Sequence, residues 1–169
     1  MKYLWILSLF VIFQTTNVEA HLNEIPSIGE VRSLYQKSMT SEDACKKLIQ
    51  ILESYKKDPL YLGYSGCATM LMAKHAFNPF SKFSYFKKGK RMLEEAIKAD
   101  EKNFELRFLR FTAQTNMPSF LGYNGNITKD KTFILDSFSQ IKDVKLEEYV
   151  LPSLRESKDL TQSEKEKLK

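Results

Sequence analysis

The stretch "GKRMLEEAIKADEKNFELRFLRF", Gly89 to Phe111, contains the end of one helix, a hinge and the start of another. Gly89, Met92, Leu93, Ala96 and Ile97 recur at helical spacing, and Tyr85 extends the same stripe upstream. Lys87, Arg91, Glu94 and Lys98 fall on the opposite face. Asp100-Glu101-Lys102-Asn103 interrupts the pattern, and Phe104, Phe108, Phe111 and Thr115 begin it again. Two amphipathic stripes joined by so short a polar hinge predict helices packed side by side.

The same grammar extends outward in both directions. Upstream, Asn78-Pro79 breaks the chain and Ser81 offers a cap for a helix running to about Ala99. Before the break, Leu60 to Phe77 is apolar on nearly every side, with Ser65, Thr69, Lys74 and His75 the main exceptions. A helix of that kind must pack on more than one face, so it is the expected centre of the domain. Gly63 and Gly66 would let a neighbour come close, at about 1 kcal/mol each in helix propensity. Two earlier helices are predicted from Ile28 to Met39 and from the capping run Thr40-Ser41-Glu42-Asp43 to a stop before Pro59. Downstream, Met117-Pro118 ends the fifth helix and "PSFLGYNGN", Pro118 to Asn126, is a loop with Asn124-Gly125 as its turn signal. Asn126 or Thr128 caps a sixth helix, and a seventh from Leu146 is expected to be interrupted at Pro152. The segment after it, "LTQSEKEKLK", is charged enough to be either frayed or a solvated last helix. With no strand signal competing, the expected class is all-α: antiparallel helix hairpins stacked side by side.

Gly89, Leu93 and Ala96 have the small, large, small spacing of the second helix of a tetratricopeptide repeat, and "IKADEKN" stands where that family has an acidic linker with proline. The chain resembles tetratricopeptide-repeat-like helical proteins on those residues, with Glu101 in the place of the proline. The helix Leu60 to Phe77 lacks the family's tryptophan, leucine, glycine and tyrosine pattern, and "NPFSKF" lengthens the turn. The segments "NPFSKFSYFKKGK", "ELRFLRF" and "FLGYNGNITKDK" are similar to those of short exported bacterial proteins of unassigned activity. This resemblance, over about Leu60 to Leu135, implies a short α-solenoid and a cell-envelope setting, and no reaction.

The N-terminus agrees with export. Lys2 precedes an apolar stretch, Leu4 to Phe13, and Val18-Glu19-Ala20 has the small residues of a signal-peptidase site. The apolar run is about half the ~20 residues needed to span a bilayer, so residues 1–20 are expected to be a cleaved leader. Residues 21–160 then form one helical domain, with a charged tail at 161–169. The net charge of +5 is unchanged when Lys2 and Glu19 leave together. Such a balance is compatible with anionic surfaces, lipid or glycan, and export disfavours nucleic acid. Cys45 and Cys67 would be in a compartment that permits a disulfide. If their helices are antiparallel neighbours turning near Lys57 to Pro59, the two positions are offset by one helical turn, about 5 to 6 Å. Either a bridge at the limit of its reach, about 7 Å between Cα atoms, or two buried thiols fits that register.

Catalytic patterns are sparse. There is no phosphate-binding glycine loop, no paired-histidine metal helix and no cysteine pair two residues apart. "GYSGC" at Gly63 to Cys67 has Cys67 where a nucleophile elbow requires glycine, and it lies within a predicted helix. Glu94-Glu95 and Glu147-Glu148 are adjacent in their helices and point about 100° apart. His21, which cleavage would leave at the N-terminus, and His75 could together supply nitrogens to copper only if they met, and no cofactor is expected. Asn126-Ile127-Thr128 matches a glycan acceptor, and helix capping accounts for the same residues.

The best candidate site is on the fifth helix. Arg107, Arg110 and Gln114 lie at i, i+3 and i+7, on one face beside the aromatic stripe. In tetratricopeptide repeats the first helix of each pair lines the concave groove, so the resemblance implies that these residues face it, with Tyr123 and Asn124 closing over them. Two guanidinium forks beside tyrosine suit a carboxylate or a peptide C-terminus. The competing account is that the arginines pair with Glu105, Asp130 or Asp136 and hold helices five and six together. An open site predicts that Arg107→Ala with Arg110→Ala folds nearly as the parent does; pairing predicts a loss of thermal stability. The functional expectation is an exported, non-enzymatic binding or scaffold protein with a peptide or protein partner. Its rivals are a peripheral module docking on anionic lipid or glycan through Lys82, Lys87, Lys88, Lys90 and Arg91, and an enzyme of unrecognised type. Phe80 and Phe83, in "NPFSKF", either pack as a staple at the helix start or stand exposed.

Overall fold

A computed structural model of the chain describes residues 25–168. The expected leader, its cleavage point and His21 lie outside the described residues, as does Lys169. The described chain is helical, with eight α-helices and no strand. α1 is Ile28–Ser38, α2 Glu42–Leu52, α3 Pro59–His75, α4 Pro79–Ala99, α5 Phe104–Thr115, α6 Ile127–Ser137, α7 Val144–Glu156 and α8 Gln162–Glu166.

The helix starts follow capping chemistry, except at α6: Asn126 stands at its N-cap without a side-chain capping bond and Thr128 lies inside the helix, so the cap expected from one or the other does not form. Ser27 and Glu30 form a reciprocal capping box at α1. Ser41 accepts the Ala44 N–H at 3.2 Å to start α2, and Asp58 accepts from Leu60 at 2.8 Å to start α3, with Pro59 at its first position. Asn78 does the same for α4, accepting from Ser81 at 2.8 Å. The cap is therefore Asn78, not Ser81, and the helix starts three residues earlier than a Ser81 cap implies, because Pro79 is preset for a first helical turn. Pro152 also departs from expectation, since α7 runs through it to Glu156. The proline is exposed, whereas Val150 and Leu154 of the same helix are fully buried. Burial on the inner side holds the helix together, while the carbonyl that loses its helical donor belongs to Glu148, on the exposed side. The charged C-terminal segment forms α8, opened by a Thr161–Glu164 capping box and anchored by the buried Leu160 and Leu168. Lys131 of α6 reaches Glu164 at 2.9 Å.

α3 is the centre, packing against α1, α2, α4 and α5. Every residue from Gly63 to Met70 is buried. Its contact with α4 is backbone on backbone: a Cβ built at Gly66 would lie 2.8 Å from the Gly89 carbonyl oxygen and 2.9 Å from the Leu93 nitrogen. One built at Gly89 would overlap the Gly66 carbonyl oxygen and lie 2.7 Å from the Met70 nitrogen. The apolar interior has two parts, and α5 is the wall between them. Leu106 and Leu109 face the first, with Val31, Leu48, Tyr64 and Leu93. Phe108 and Phe111 face the second, with Ile134, Phe138, Val150 and Leu154.

Both cysteines are free and buried. Cys45 donates to the Ser38 carbonyl at 3.2 Å, and the Cys67 thiol is hydrogen bonded to Tyr35 and pushed up to about 12 by burial. Of the two arrangements compatible with the register, the structure has the buried thiols. A colourless Ellman reaction in native buffer is expected, with both thiols titrating once denaturant is added, because neither the thiolate nor access is available in the fold.

Candidate functional site

α5 carries an unusual density of buried polar groups. Glu105, Arg107, Arg110 and Gln114 are all at most 5% exposed, and Asp130 of α6 is fully buried. The two arginines, one turn apart, converge on Asp130. Arg107 donates through Nε to its Oδ1; Arg110 donates through Nε to Oδ2 at 2.6 Å and through a terminal nitrogen to Oδ1 at 2.9 Å. The remaining arm of Arg110 reaches Glu94 of α4 at 2.8 Å. The Tyr123 hydroxyl donates to the other Glu94 oxygen at 2.6 Å. Two guanidinium groups and two carboxylates thus neutralise each other and tie α4, α5, α6 and the 118–126 loop together. Burial opposes the charge on Arg110, but the hydrogen bonds and charge of Asp130, and then Glu94, outweigh it and hold the group firmly protonated. Tyr123 is raised by burial and by its bond to Glu94, so it remains a donor. The face of Phe133 lies 4.7 Å from the Arg107 guanidinium and covers it.

The solvent-open, arginine-lined groove expected from the sequence is replaced by this closed cluster. Arg107, Arg110 and Tyr123 do come together, but around Asp130 and Glu94, which is the pairing alternative. Gln114 accepts the Asn126 N–H at 3.2 Å and so pins the loop to α5. Asn124 is exposed and does not join the cluster. A depression of about 450 Å³ opens between the end of α6 and the start of α7, and none of these five residues lines it.

A second buried cluster gave no sequence signal. Arg32 of α1 makes a two-pronged pair with Glu105 of α5, 2.7 Å on each arm, and reaches Asp143 at 3.2 Å. Tyr64 of α3 donates to the same Glu105 carboxylate, and the Tyr149 ring of α7 lies 5.8 Å from the Arg32 guanidinium. The hydrogen bond to Glu105 chiefly raises Arg32 above its ordinary value, against the cost of burial. Both clusters satisfy their own charges, as a fold-stabilising role requires. Only helix periodicity placing Arg32 on the buried face beside Val31 and Tyr35 could have hinted at it.

Among the described residues, the most exposed aromatic surface is at the α3–α4 connection. Phe77 is 102% and Phe80 88% exposed, and Phe83 is 54% exposed one turn further along α4. Of the two arrangements open to Phe80 and Phe83, staple or exposure, the structure has the exposed one. The Lys74 ammonium donates to the Met39 carbonyl, which brings the exposed Met39 to this end as well. Tyr123 packs 6.1 Å from Phe86, bringing the loop with the exposed Phe120 beside the first half of α4. From Pro59 to Leu93 the chain has no Asp or Glu, whereas Lys74, Lys82, Lys87, Lys88, Lys90 and Arg91 all fall in it. Among the described residues Lys82, Lys87, Lys88 and Arg91 enter no ion pair.

Comparison with family models, with curated proteins and with solved structures finds no match. Among the described residues no helix is long and apolar enough to cross a membrane, and no three His, Cys, Asp or Glu side chains are grouped to hold a metal ion.

Proposed function

We propose that this chain is an exported, non-enzymatic helical module that works by contact, and that its partner meets it at the phenylalanine-bearing end of α3 and α4. The observation that carries this is the exposure of Phe77, Phe80 and Phe83 beside an acid-free basic run, in a molecule whose other charged clusters are internally satisfied. Water disfavours such rings in the open, and a cluster of them at one end marks a contact surface. The arginines of α5 then serve as the frame that fixes α4 and the neighbouring loop, and recognition passes from them to the aromatic end. A tetratricopeptide-like arrangement suits this role. Gly63 lies against Ala96, Gly66 against Gly89 and Leu93, and Met70 against Gly89, so position numbers rise along α3 as they fall along α4. That order supports an antiparallel hairpin, with the small, large, small run of Gly89, Leu93 and Ala96 on the side of α4 that meets α3.

Photo-crosslinking in intact cells tests the surface. Benzoylphenylalanine in place of Phe80 is expected to give an adduct with whatever occupies this end, whether lipid or protein. The same group at exposed Lys98, about 27 Å away along α4, should give none. Equal labelling from both positions, or from neither, would remove this end as the binding surface.

A further inference from the structure

We infer that the partner at this end is the anionic face of a lipid bilayer, a conclusion resting on the assignment of the aromatic end as the binding surface. Shape argues for it first. Phe77 and Phe80 project almost wholly into solvent from the α3–α4 connection, and the depressions by α6 and α7 and by α8 are lined by other segments. A folded protein partner would need matching pockets for isolated rings, whereas the boundary between headgroups and acyl chains accepts them without a preformed mould.

Charge argues next, and it selects the lipid. Lys82, Lys87 and Lys88 stand within about 14 Å of the start of α4 along its axis, close to the Debye length of about 10 Å at moderate salt. The Lys87 ammonium lies 5.6 Å from the Phe83 ring, so an apolar ring and a phosphate-seeking cation are presented together. Lysine stems can lie along inserted apolar surface while their heads stay at the phosphate level. The carboxylates of α2 and of the turn after it that act on this side are already engaged: Glu42 pairs with Lys46 at 2.8 Å, and Glu53, whose carboxylate also feels the charge of Lys88, pairs with Lys56 at 2.5 Å. Rings without cations would dock on neutral lipid equally well; rings with unpaired lysines favour an anionic leaflet.

The test uses the full chain with an environment-sensitive fluorophore attached through Phe77→Cys, Phe80→Cys or, as control, Lys98→Cys; Cys45 and Cys67 are buried and leave the label site-specific. Comparing positions within one chain cancels any contribution of the apolar stretch Leu4 to Phe13. With vesicles of phosphatidylglycerol and phosphatidylcholine, the labels at 77 and 80 are expected to shift to the blue and be quenched by spin-labelled acyl chains. The label at 98 should not respond. Phosphatidylcholine alone should give little shift, and high salt should reverse the shift. Exchanging Lys82, Lys87 and Lys88 together for glutamine should weaken vesicle partition about tenfold or more, with the melting temperature unchanged. A shift indifferent to lipid charge, an equal shift at 98, or no shift at 77 and 80 each overturns the bilayer as partner. So does a shift that grows with protein concentration in the absence of lipid, which would mark a second copy as the occupant. A crosslink from position 80 without a vesicle response leaves the binding end standing and removes only the bilayer; absence of both removes the two together.

Discussion

Asp130→Ala is expected to lower stability by about 3 to 5 kcal/mol, the range found when one partner of a buried ion pair is removed. The carboxylate is fully buried between two guanidinium groups that are each at most 5% exposed. Truncating it strands Arg107 in the interior and leaves Arg110 with Glu94 alone. For a chain of this size the melting temperature should fall on the order of 10 °C, which differential scanning calorimetry or thermal circular dichroism will read. Arg107→Ala with Arg110→Ala should be destabilised as well, since it leaves Asp130 without its counter-ions. A companion variant sharpens the result. Replacing all three members together, Asp130→Leu with Arg107→Met and Arg110→Met, should recover most of the loss, because a buried ion cluster contributes little net stability over apolar groups of similar volume. If Asp130→Ala melts like the parent, the cluster is not a structural lock.

Gly89→Ala should be comparably severe for an unrelated reason. Alanine is favoured over glycine in a helix interior by about 1 kcal/mol, so propensity alone predicts stabilisation. Here the new methyl group would meet the Gly66 carbonyl oxygen and the Met70 nitrogen, backbone atoms that cannot rotate away. Separating α3 from α4 to make room would loosen the centre of the first core, and a loss of about 3 kcal/mol or more is expected. Gly66→Ala meets the Gly89 carbonyl oxygen and the Leu93 nitrogen and should behave alike. Gly29→Ala supplies the opposite sign: nothing lies within 4 Å of a Cβ there, and a gain of a few tenths to about 0.5 kcal/mol follows from propensity in the first turn of α1. Urea denaturation midpoints for the three variants measure all of this. Neutral behaviour at Gly89 would mean that the α3–α4 contact is looser than described.

The helices were legible in the sequence because each carries its own evidence: a cap, a stripe and a stop within a few residues. The central place of α3 was legible too, since a helix apolar on every side has to be surrounded, and Gly66 within it is where α4 arrives. Pro152 misled because the cost of a proline is judged locally, while the burial of Val150 and Leu154 that overrides it depends on packing. The arginines misled in a more instructive way. Their spacing correctly placed Arg107 and Arg110 on one face, but whether that face is open depends on Asp130, which lies beyond a loop and on another helix. Arg32 and Glu105 are separated by 73 positions, and no spacing rule reaches that far. Phe80 and Phe83 are open to either staple or exposure on sequence alone, because a ring at a helix start has the same local sequence in either state. Phe77 and Phe120 carry no separate sequence signal, since exposure of a lone phenylalanine is a property of its surroundings.

The position of α5 as a shared partition affects how the molecule comes apart. Because Leu106 and Leu109 serve one lobe while Phe108 and Phe111 serve the other, neither lobe can shed this helix without uncovering its neighbour. Both ion clusters also draw members from it, Glu105 in one and Arg107 with Arg110 in the other. A keystone shared in this way is expected to make the two halves yield together, as one transition seen alike by near-ultraviolet and far-ultraviolet circular dichroism, with few half-open forms for a protease to seize.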